Sequence, residues 1–367
     1  MKIAYVAQVH TSSLGVYKKI CGQASVWKEQ GHKVELFLAS QNAPPSQSVF
    51  PLWPRFNLCN PRLALLWKLL LFRPEIVYFR EEGVSLFLFL LLFFFRSIVF
   101  IEINGSTRRE SKLTRNNFSQ WRSDKLNIFL QPFIIRAVAG IVSVSHELAS
   151  FEEFSGAKNT IIAPNSIALK QHSVVKKKDS HSPIKIAFLG SADQAWNGTS
   201  IIPDLAEALG TGFEFHIIGP TVEQLFSDTS SAMANVLVYG YLTQQDYLPI
   251  LSYCHIGIGT LALHRKKQEE ASPLKVREYI ALGLPVILPY KDTAFIDVCP
   301  DWVLELPNAP STFEKSETIN LIREFCIKNK DRVVTHAESA SYIDSYGLEG
   351  AKLEKLAEVI RNQRTKI

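Results

Sequence analysis

Cysteine is scarce and scattered in this chain. The five present, Cys21, Cys59, Cys254, Cys299 and Cys326, form no C-x-x-C pair and are odd in number, which excludes a structural zinc site of the usual spacing and points to a reducing compartment. Strong net charge is also missing. Forty Lys+Arg against 35 Asp+Glu leave +5, too little and too dispersed for a dedicated nucleic-acid binder, so no nucleic-acid partner is expected. No apolar run is long enough to cross a bilayer. The longest, residues 84–95, is polar only at Ser85 before Arg96 ends it, and as a helix it spans about 18 Å against the roughly 30 Å of a hydrocarbon core. The first residues lack the apolar stretch and small-residue cleavage site of a signal peptide, so a cytoplasmic protein is expected. H-E-x-x-H, P-loop and G-x-S-x-G motifs are absent too, which removes the zinc protease, P-loop ATPase and serine hydrolase readings.

What is present is apolar material for more than one core: 47% hydrophobic and 20% charged residues over 367 positions. Short apolar runs alternate with amphipathic stretches, the pattern of βαβ units feeding a parallel sheet. Strands are expected over residues 3–7, 34–38, 76–79, 98–101 and 140–144, then over 214–218, 236–239, 255–258 and 286–288. The polar, charged, Pro-terminated stretch 170–183 breaks the periodicity and reads as a linker. This gives an α/β protein with two Rossmann-like, doubly wound domains, 1–169 and 184–346, and a C-terminal helix over 347–367. The second domain restarts as the first began, Lys185-Ile-Ala-Phe-Leu-Gly190 against Lys2-Ile-Ala-Tyr-Val-Ala7. Each run leads into a small-residue turn, where a doubly wound sheet places its ligand crevice, which makes Gly190 a candidate ligand-binding residue.

Gly257-Ile-Gly259-Thr-Leu-Ala262 matches the dinucleotide fingerprint G-x-G-x-x-G/A, but its context is wrong. The charged run Leu263-His-Arg-Lys-Lys-Gln-Glu-Glu270 follows it instead of an amphipathic helix, and it lies deep in the domain.

The most informative stretch is Glu270-Ala-Ser-Pro-Leu-Lys-Val-Arg-Glu278-Tyr-Ile-Ala-Leu-Gly283. Ser272 is a natural N-cap and Pro273 a natural first residue, so a helix is expected to start here and end at Gly283. Its N-terminus suits a phosphate. Lys275 in the first turn opposes the helix dipole, an oddity that a bound anion would remove. Two carboxylates bracketing an anion site suit polyols, since each can accept from neighbouring hydroxyls.

At this point the residues resemble a known family. Glu270-x7-Glu278 with the following Tyr-Ile-Ala-Leu-Gly-Leu-Pro-Val-Ile287 is similar to the E-x7-E signature of family 4 retaining glycosyltransferases of the two-domain GT-B fold. Gly15-Val16-Tyr17 resembles that family's first glycine-bearing loop, Glu102-Ile-Asn104-Gly105 its second, and Ala163-Pro-Asn-Ser-Ile167 the turn before its linker. The resemblance implies that Glu278 holds the donor ribose, that Glu270 faces the donor sugar, and that backbone N–H groups from Ser272 to Leu274 cradle the diphosphate. Gly15, Asn104, Gly105 and Glu110 would face the acceptor. It also implies retention of configuration without metal or other cofactor, a C-terminal helix crossing back to the first domain, and a role in cell-surface polysaccharide or lipopolysaccharide assembly with a saccharide or lipid-linked saccharide as acceptor. One departure is chemical: the family's basic pair at the diphosphate is replaced by Ser191 and Asn197. Lys275 is best placed to supply the charge, with Arg265, Lys266 and Lys267 as looser candidates. The alternatives are a sugar-nucleotide epimerase of the same fold and a catalytically degenerate sugar-binding partner of an assembly complex.

The apolar stretch 84–95 and the neighbouring Leu63, Leu65, Leu66, Trp67, Leu69 and Leu70, studded with Arg62, Lys68 and Arg73, suit a peripheral contact with an anionic membrane surface. Burial of the two stretches against each other, and a dimer interface, stand beside that reading.

Overall fold

A computed structural model describes residues 1–9, 14–40, 50–51, 61–80, 86–114, 118–174, 183–226 and 233–365. Most of the expected linker, residues 175–182, lies outside them, as do Val84 and Ser85 of the apolar stretch. The chain divides into two compact units, one of Met1–Arg108, Asn116–Pro164 and Ser345–Ile367, the other of Arg109–Arg115 and Asn165–Asp344.

The first unit is built on β1 (Lys2–Val9), β2 (Lys33–Ser40), β3 (Phe50–Pro51), β4 (Ile76–Arg80), β5 (Val99–Ile103), β6 (Gly140–Ser143) and β7 (Thr160–Ile162). They form one parallel sheet in the order β3-β2-β1-β4-β5-β6-β7, with Lys2 of β1 in register with Lys33 and Ile3 with Ile76. Its helices are α1 (Leu14–Glu29), α2 (Pro61–Phe72), α3 (Leu86–Phe95), α4 (Thr107–Thr114), which passes into the second unit, α5 (Phe118–Ala137) and α6 (His146–Ser150). A strand covered on both faces reads as a continuous apolar run, and β4 shows why. Val77 and Phe79 point to the side packed by α2, α3 and α5, while Ile76 and Tyr78 point to the side packed by α1.

The second unit repeats the plan with β8 (Ile184–Leu189), β9 (Phe213–Ile218), β10 (Val236–Val238), β11 (Ile256–Ile258), β13 (Val286–Leu288) and β15 (Val303–Glu305), all parallel in the order β10-β9-β8-β11-β13-β15. A separate ribbon pairs β12 (Glu270–Ala271) with β14 (Lys291–Asp292). The helices are α7 (Ile202–Leu209), α8 (Val222–Leu225), α9 (Gln244–Tyr253), α10 (Leu274–Ala281), α11 (Ser316–Asn329) and α12 (His336–Ile343). Two parallel, doubly wound sheets are thus the architecture, and the expected strands fall on them with shifts of one or two residues at their ends.

The last helix, α13 (Ser345–Arg364), belongs to the first unit, where Leu353, Leu356 and Ile360 pack with Ile20, Ala24 and Trp27 of α1. It starts at Ser345, and Gly347 is its third residue. A buried polar column joins the two helices. Tyr5 donates to Gln23 Oε1 (2.8 Å), Gln23 Nε2 and Trp27 Nε1 donate to the two oxygens of Glu349 (3.0 and 2.9 Å), and Lys352 pairs with Glu349 at 2.5 Å while lying 5.3 Å from the Trp27 ring centre.

At the carboxyl edge of the second sheet two glycines meet. Gly219 has φ +124, and a Cβ there would stand 2.0 Å from the Gly190 carbonyl oxygen. Gly219→Ala is therefore expected to cost more than about 2 kcal/mol in urea unfolding. Gly22, inside α1 with open space where its Cβ would be, should instead gain about 1 kcal/mol as Gly22→Ala. Equal effects of the two changes would refute this account of the turn.

Candidate functional site

The site in the second unit grows from the helix start read in the sequence. α10 is Leu274–Ala281, and Pro273, with φ −74 and ψ 139, takes the capping position expected of Ser272. Ser272 does not cap because its hydroxyl is engaged elsewhere. It accepts from the backbone N–H of Asn165 (2.8 Å) and from Arg277 (2.7 Å), and its carbonyl accepts from the Asn165 side chain. Arg277 is fully buried, donating to the Asn165 carbonyl (2.7 Å) and, through both terminal nitrogens, to Asp292 (2.6 and 3.0 Å). This clamp holds the helix start, the turn at Asn165 and the β14 edge together.

The helix then approaches the sheet closely. A Cβ on Gly257 would lie 2.4 Å from the Tyr279 ring, and one on Gly259 2.7 Å from the Tyr290 hydroxyl. The glycines of the fingerprint-like motif thus serve close packing. The hydroxyl of Tyr279 accepts from the N–H of Leu189 (2.6 Å) at the end of β8.

That contact brings Lys275 to the same edge. Its ammonium donates to the Leu189 carbonyl (2.7 Å) and to Asn197 Oδ1 (3.1 Å), 4.6 Å from the Phe188 ring centre. Asn197, itself buried, is oriented by donating to the Ser191 carbonyl (2.9 Å) and to Gln194 (3.2 Å). Among the described residues no carboxylate pairs with Lys275, and burial pushes its pKa down to about 7. Gly190, Ser191, Asn197, Leu274 and Lys275 are thereby gathered around the carboxyl end of β8. β8 and β11 are neighbours in the sheet yet follow opposite directions of winding, which is the switch point of a doubly wound fold.

Glu278, one turn beyond Lys275, is half-buried against α9. It accepts from Gln244 (2.8 Å) and from the Tyr247 hydroxyl (3.0 Å to each oxygen). Burial, together with the Glu278 charge, raises the Tyr247 pKa strongly, so the phenol remains a donor. Glu270 stands on β12, paired in register with Lys291, just ahead of the clamp. Of the looser cationic candidates, Arg265 and Lys266 have side-chain partners, while Lys267 is held through its backbone carbonyl. Arg265 donates to the Ala195 carbonyl and Ser200, the carbonyl of Lys267 accepts from Arg109, and Lys266 pairs with Glu110 while stacked 4.5 Å from the Trp196 ring centre. Glu110, expected on the acceptor side of the first domain, is in the segment that clusters with the second unit.

In the first unit Asn104 accepts from Lys19 (3.0 Å). Gly15 is an exposed residue in the first turn of α1, with open space around its Cα, and Gly105 is half-buried in the turn after β5. The motif's Glu102 is the more consequential residue. It is buried and bound by Lys19, by Arg80 (3.1 Å) and by the Tyr5 hydroxyl (3.1 Å). Burial alone would raise its pKa, but the two cations hold it far below the usual carboxylate range, and burial lowers that of Lys19 to about 8.

Sequence reading missed Arg277 and Asp292 as well as the Gln244 and Tyr247 support of Glu278. One signal for Arg277 was available: a charge flanked by Val276, Tyr279 and Ile280, the buried stripe of α10. The α9 residues carry no local mark.

No protein-family model matches the chain, and no curated protein matches it. Solved structures do resemble it over its full length. Sucrose-phosphate synthase from Thermosynechococcus elongatus superposes with a TM-score of 0.69 at 12% identity, covering 100% of both chains. A glycosyltransferase from Rickettsia africae gives 0.66 at 12%, covering 98% of this chain and 99% of that one. HepE from Anabaena, solved with UDP and glucose, gives 0.62 at 14%, covering 98% and 100%. At such identities the likeness establishes the fold, which is that of the GT-B glycosyltransferases.

Removing Asp292 leaves the Arg277 guanidinium buried without its counter-charge. Asp292→Ala should lower unfolding free energy by about 3–5 kcal/mol, measured in urea. A loss below about 1 kcal/mol, the scale of a surface pair, would show that the clamp is not structural.

Proposed function

We propose that the protein transfers a glycosyl group from a nucleoside-diphosphate sugar, with the donor held at α10 of the second unit. The observation that carries the reading is Lys275: a cation with no carboxylate partner among the described residues, enclosed at the carboxyl end of β8 and at the start of a helix, in a fold whose solved examples include HepE with UDP and glucose. In this reading the first-turn N–H groups of α10 and Lys275 take the diphosphate, Glu278 accepts from the ribose hydroxyls, and Glu270 faces the sugar. Lys275 does the work of the basic pair that Ser191 and Asn197 lack, with Asn197 as its support. Catalysis consists of stabilising the charge that develops on the leaving diphosphate, and no metal is required. Transfer proceeds with retention, to a saccharide or lipid-linked saccharide presented to the first unit at the cytoplasmic face of the membrane, as part of cell-surface polysaccharide assembly. The neighbour WaaB, a lipopolysaccharide outer core galactosyltransferase (TM-score 0.59, 13% identity), supports that setting.

Release of nucleoside diphosphate from a panel of donors, in the presence of chelator, tests the proposal. Turnover with at least one donor is expected. Binding of UDP or GDP without turnover would instead identify a degenerate binder, and no binding at all would reject the site. Glu278→Ala should weaken nucleotide binding roughly ten- to a hundred-fold, the loss of a charged hydrogen-bond acceptor, with the fold intact.

The low pKa of Lys275 gives a second test. With a pKa of about 7 in the free site, the amine is mostly neutral at higher pH, while a diphosphate binds the ammonium form. Binding should therefore take up a proton above pH ~7 and weaken by up to about tenfold per pH unit as pH rises. Calorimetry in buffers of different ionisation enthalpy measures this, and a flat affinity without proton uptake would remove Lys275 from the diphosphate.

A further inference from the structure

The face of the first sheet packed by α2, α3 and α5 has an unusual outer side. Inward, Leu65, Leu69, Leu88, Leu91, Ile134 and Ile135 fill the core. Outward, where a surface helix carries polar residues, α3 has none: its sequence is LFLFLLLFFF, and Phe93 is 80% exposed. Trp67 and Leu71 on α2 and Phe129 and Phe133 on α5 are exposed by 59–67%. Phe94 beside Phe93 and the Phe129–Phe133 ring pair extend the same surface. The two apolar stretches seen in the sequence do pack on the same core, yet that packing leaves these side chains in solvent.

Topology sets cations beside them. In a parallel sheet the covering helices run back against the strands, so α2, α3 and α5 all end at the edge where β4, β5 and β6 begin. Arg73, Arg96 and Arg136, one at each helix end and all exposed, therefore form a row along one edge. At 1.5 Å per residue the exposed apolar side chains lie within about 10 Å of that row. Favourable contact with the helix dipoles accounts for arginines at helix ends, but not for the bare aromatics next to them. Segments 61–73, 86–97 and 118–137 hold seven Lys or Arg against a single acid, Asp124.

We infer that this face of the first unit docks on an anionic lipid bilayer, with the aromatic band entering the interface and the arginine row meeting lipid phosphates. Charge favours the bilayer over a second copy of the chain, because a two-fold contact sets this patch against itself, with seven cations and one acid on each side. The inference rests on this surface and not on the donor site. It adds to the transfer reading a place where a lipid-linked acceptor is met.

Flotation of the full-length protein with phosphatidylcholine vesicles, with and without phosphatidylglycerol, tests it. The protein should float only with the anionic vesicles and less as salt rises. Arg73→Gln with Arg96→Gln should lower partition about fivefold for each arginine removed. Phe93→Ser with Phe94→Ser should lower it by about tenfold or more. Unchanged circular dichroism and UDP titration in the same samples would show that fold and donor site are untouched, so a failed donor reading stays separable from a failed docking surface. Protein left at the bottom with anionic vesicles at low salt overturns the inference. So does a concentration-dependent dimer in sedimentation that the two Ser substitutions dissolve and vesicles do not.

Discussion

A guanidinium with no access to solvent governs the second unit. Arg277 cannot be buried without partners, since the desolvation of a charge in a protein interior costs several kcal/mol. Its partners come from three separate pieces of chain: Asp292 on β14, Ser272 ahead of α10, and the carbonyl of Asn165 where the chain enters the unit. Satisfying one side chain therefore fixes the start of α10 relative to the sheet. Everything at the β8 edge inherits that placement, because Tyr279 and Lys275 sit two residues to either side of Arg277 on the same helix.

The first unit is held by a comparable device with a different composition. Glu102 and Glu349 are each matched by buried cations, and Tyr5, Gln23 and Trp27 link them into one column from the sheet to α13. A polar column in an otherwise apolar interior specifies register, because any slip of α13 along α1 strands several charged groups at once. The C-terminal helix is thus placed by its polar residues as well as by Leu353, Leu356 and Ile360.

Much of the fold was legible because parallel sheets covered on both faces write apolar runs of strand length into the sequence, and because Gly31 and Gly283, both at positive φ, end helices where glycine alone is unstrained. The start of α10 was legible to within one residue. Its cap was misread, since Ser272 next to Pro273 is a capping pattern only if the hydroxyl is not claimed from elsewhere, and the claimants Asn165 and Arg277 are set by tertiary structure. The same reason hid Gln244 and Tyr247: their bearing on Glu278 depends on the packing of α9 beside α10, which no local spacing encodes. Glu110 is a further case. The family resemblance set it facing the acceptor, and its pairing with Lys266 comes from the fold and not from any local spacing.

Lys275 remains the residue that stability alone does not explain. It opposes the dipole of its own helix, is enclosed by a ring and two neutral oxygens, and loses protonation affinity as a result. An apolar side chain of similar length would relieve that cost, as replacement of buried ionic groups often does. The surroundings nevertheless serve the charge: Asn197 is turned by Ser191 and Gln194 so that its oxygen faces the ammonium, and the close approach of Gly190 and Gly219 keeps the neighbouring edge free of side chains. Residues arranged around a destabilising cation are what the proposed donor site requires, since a doubly negative diphosphate at the helix start would reverse both of its penalties.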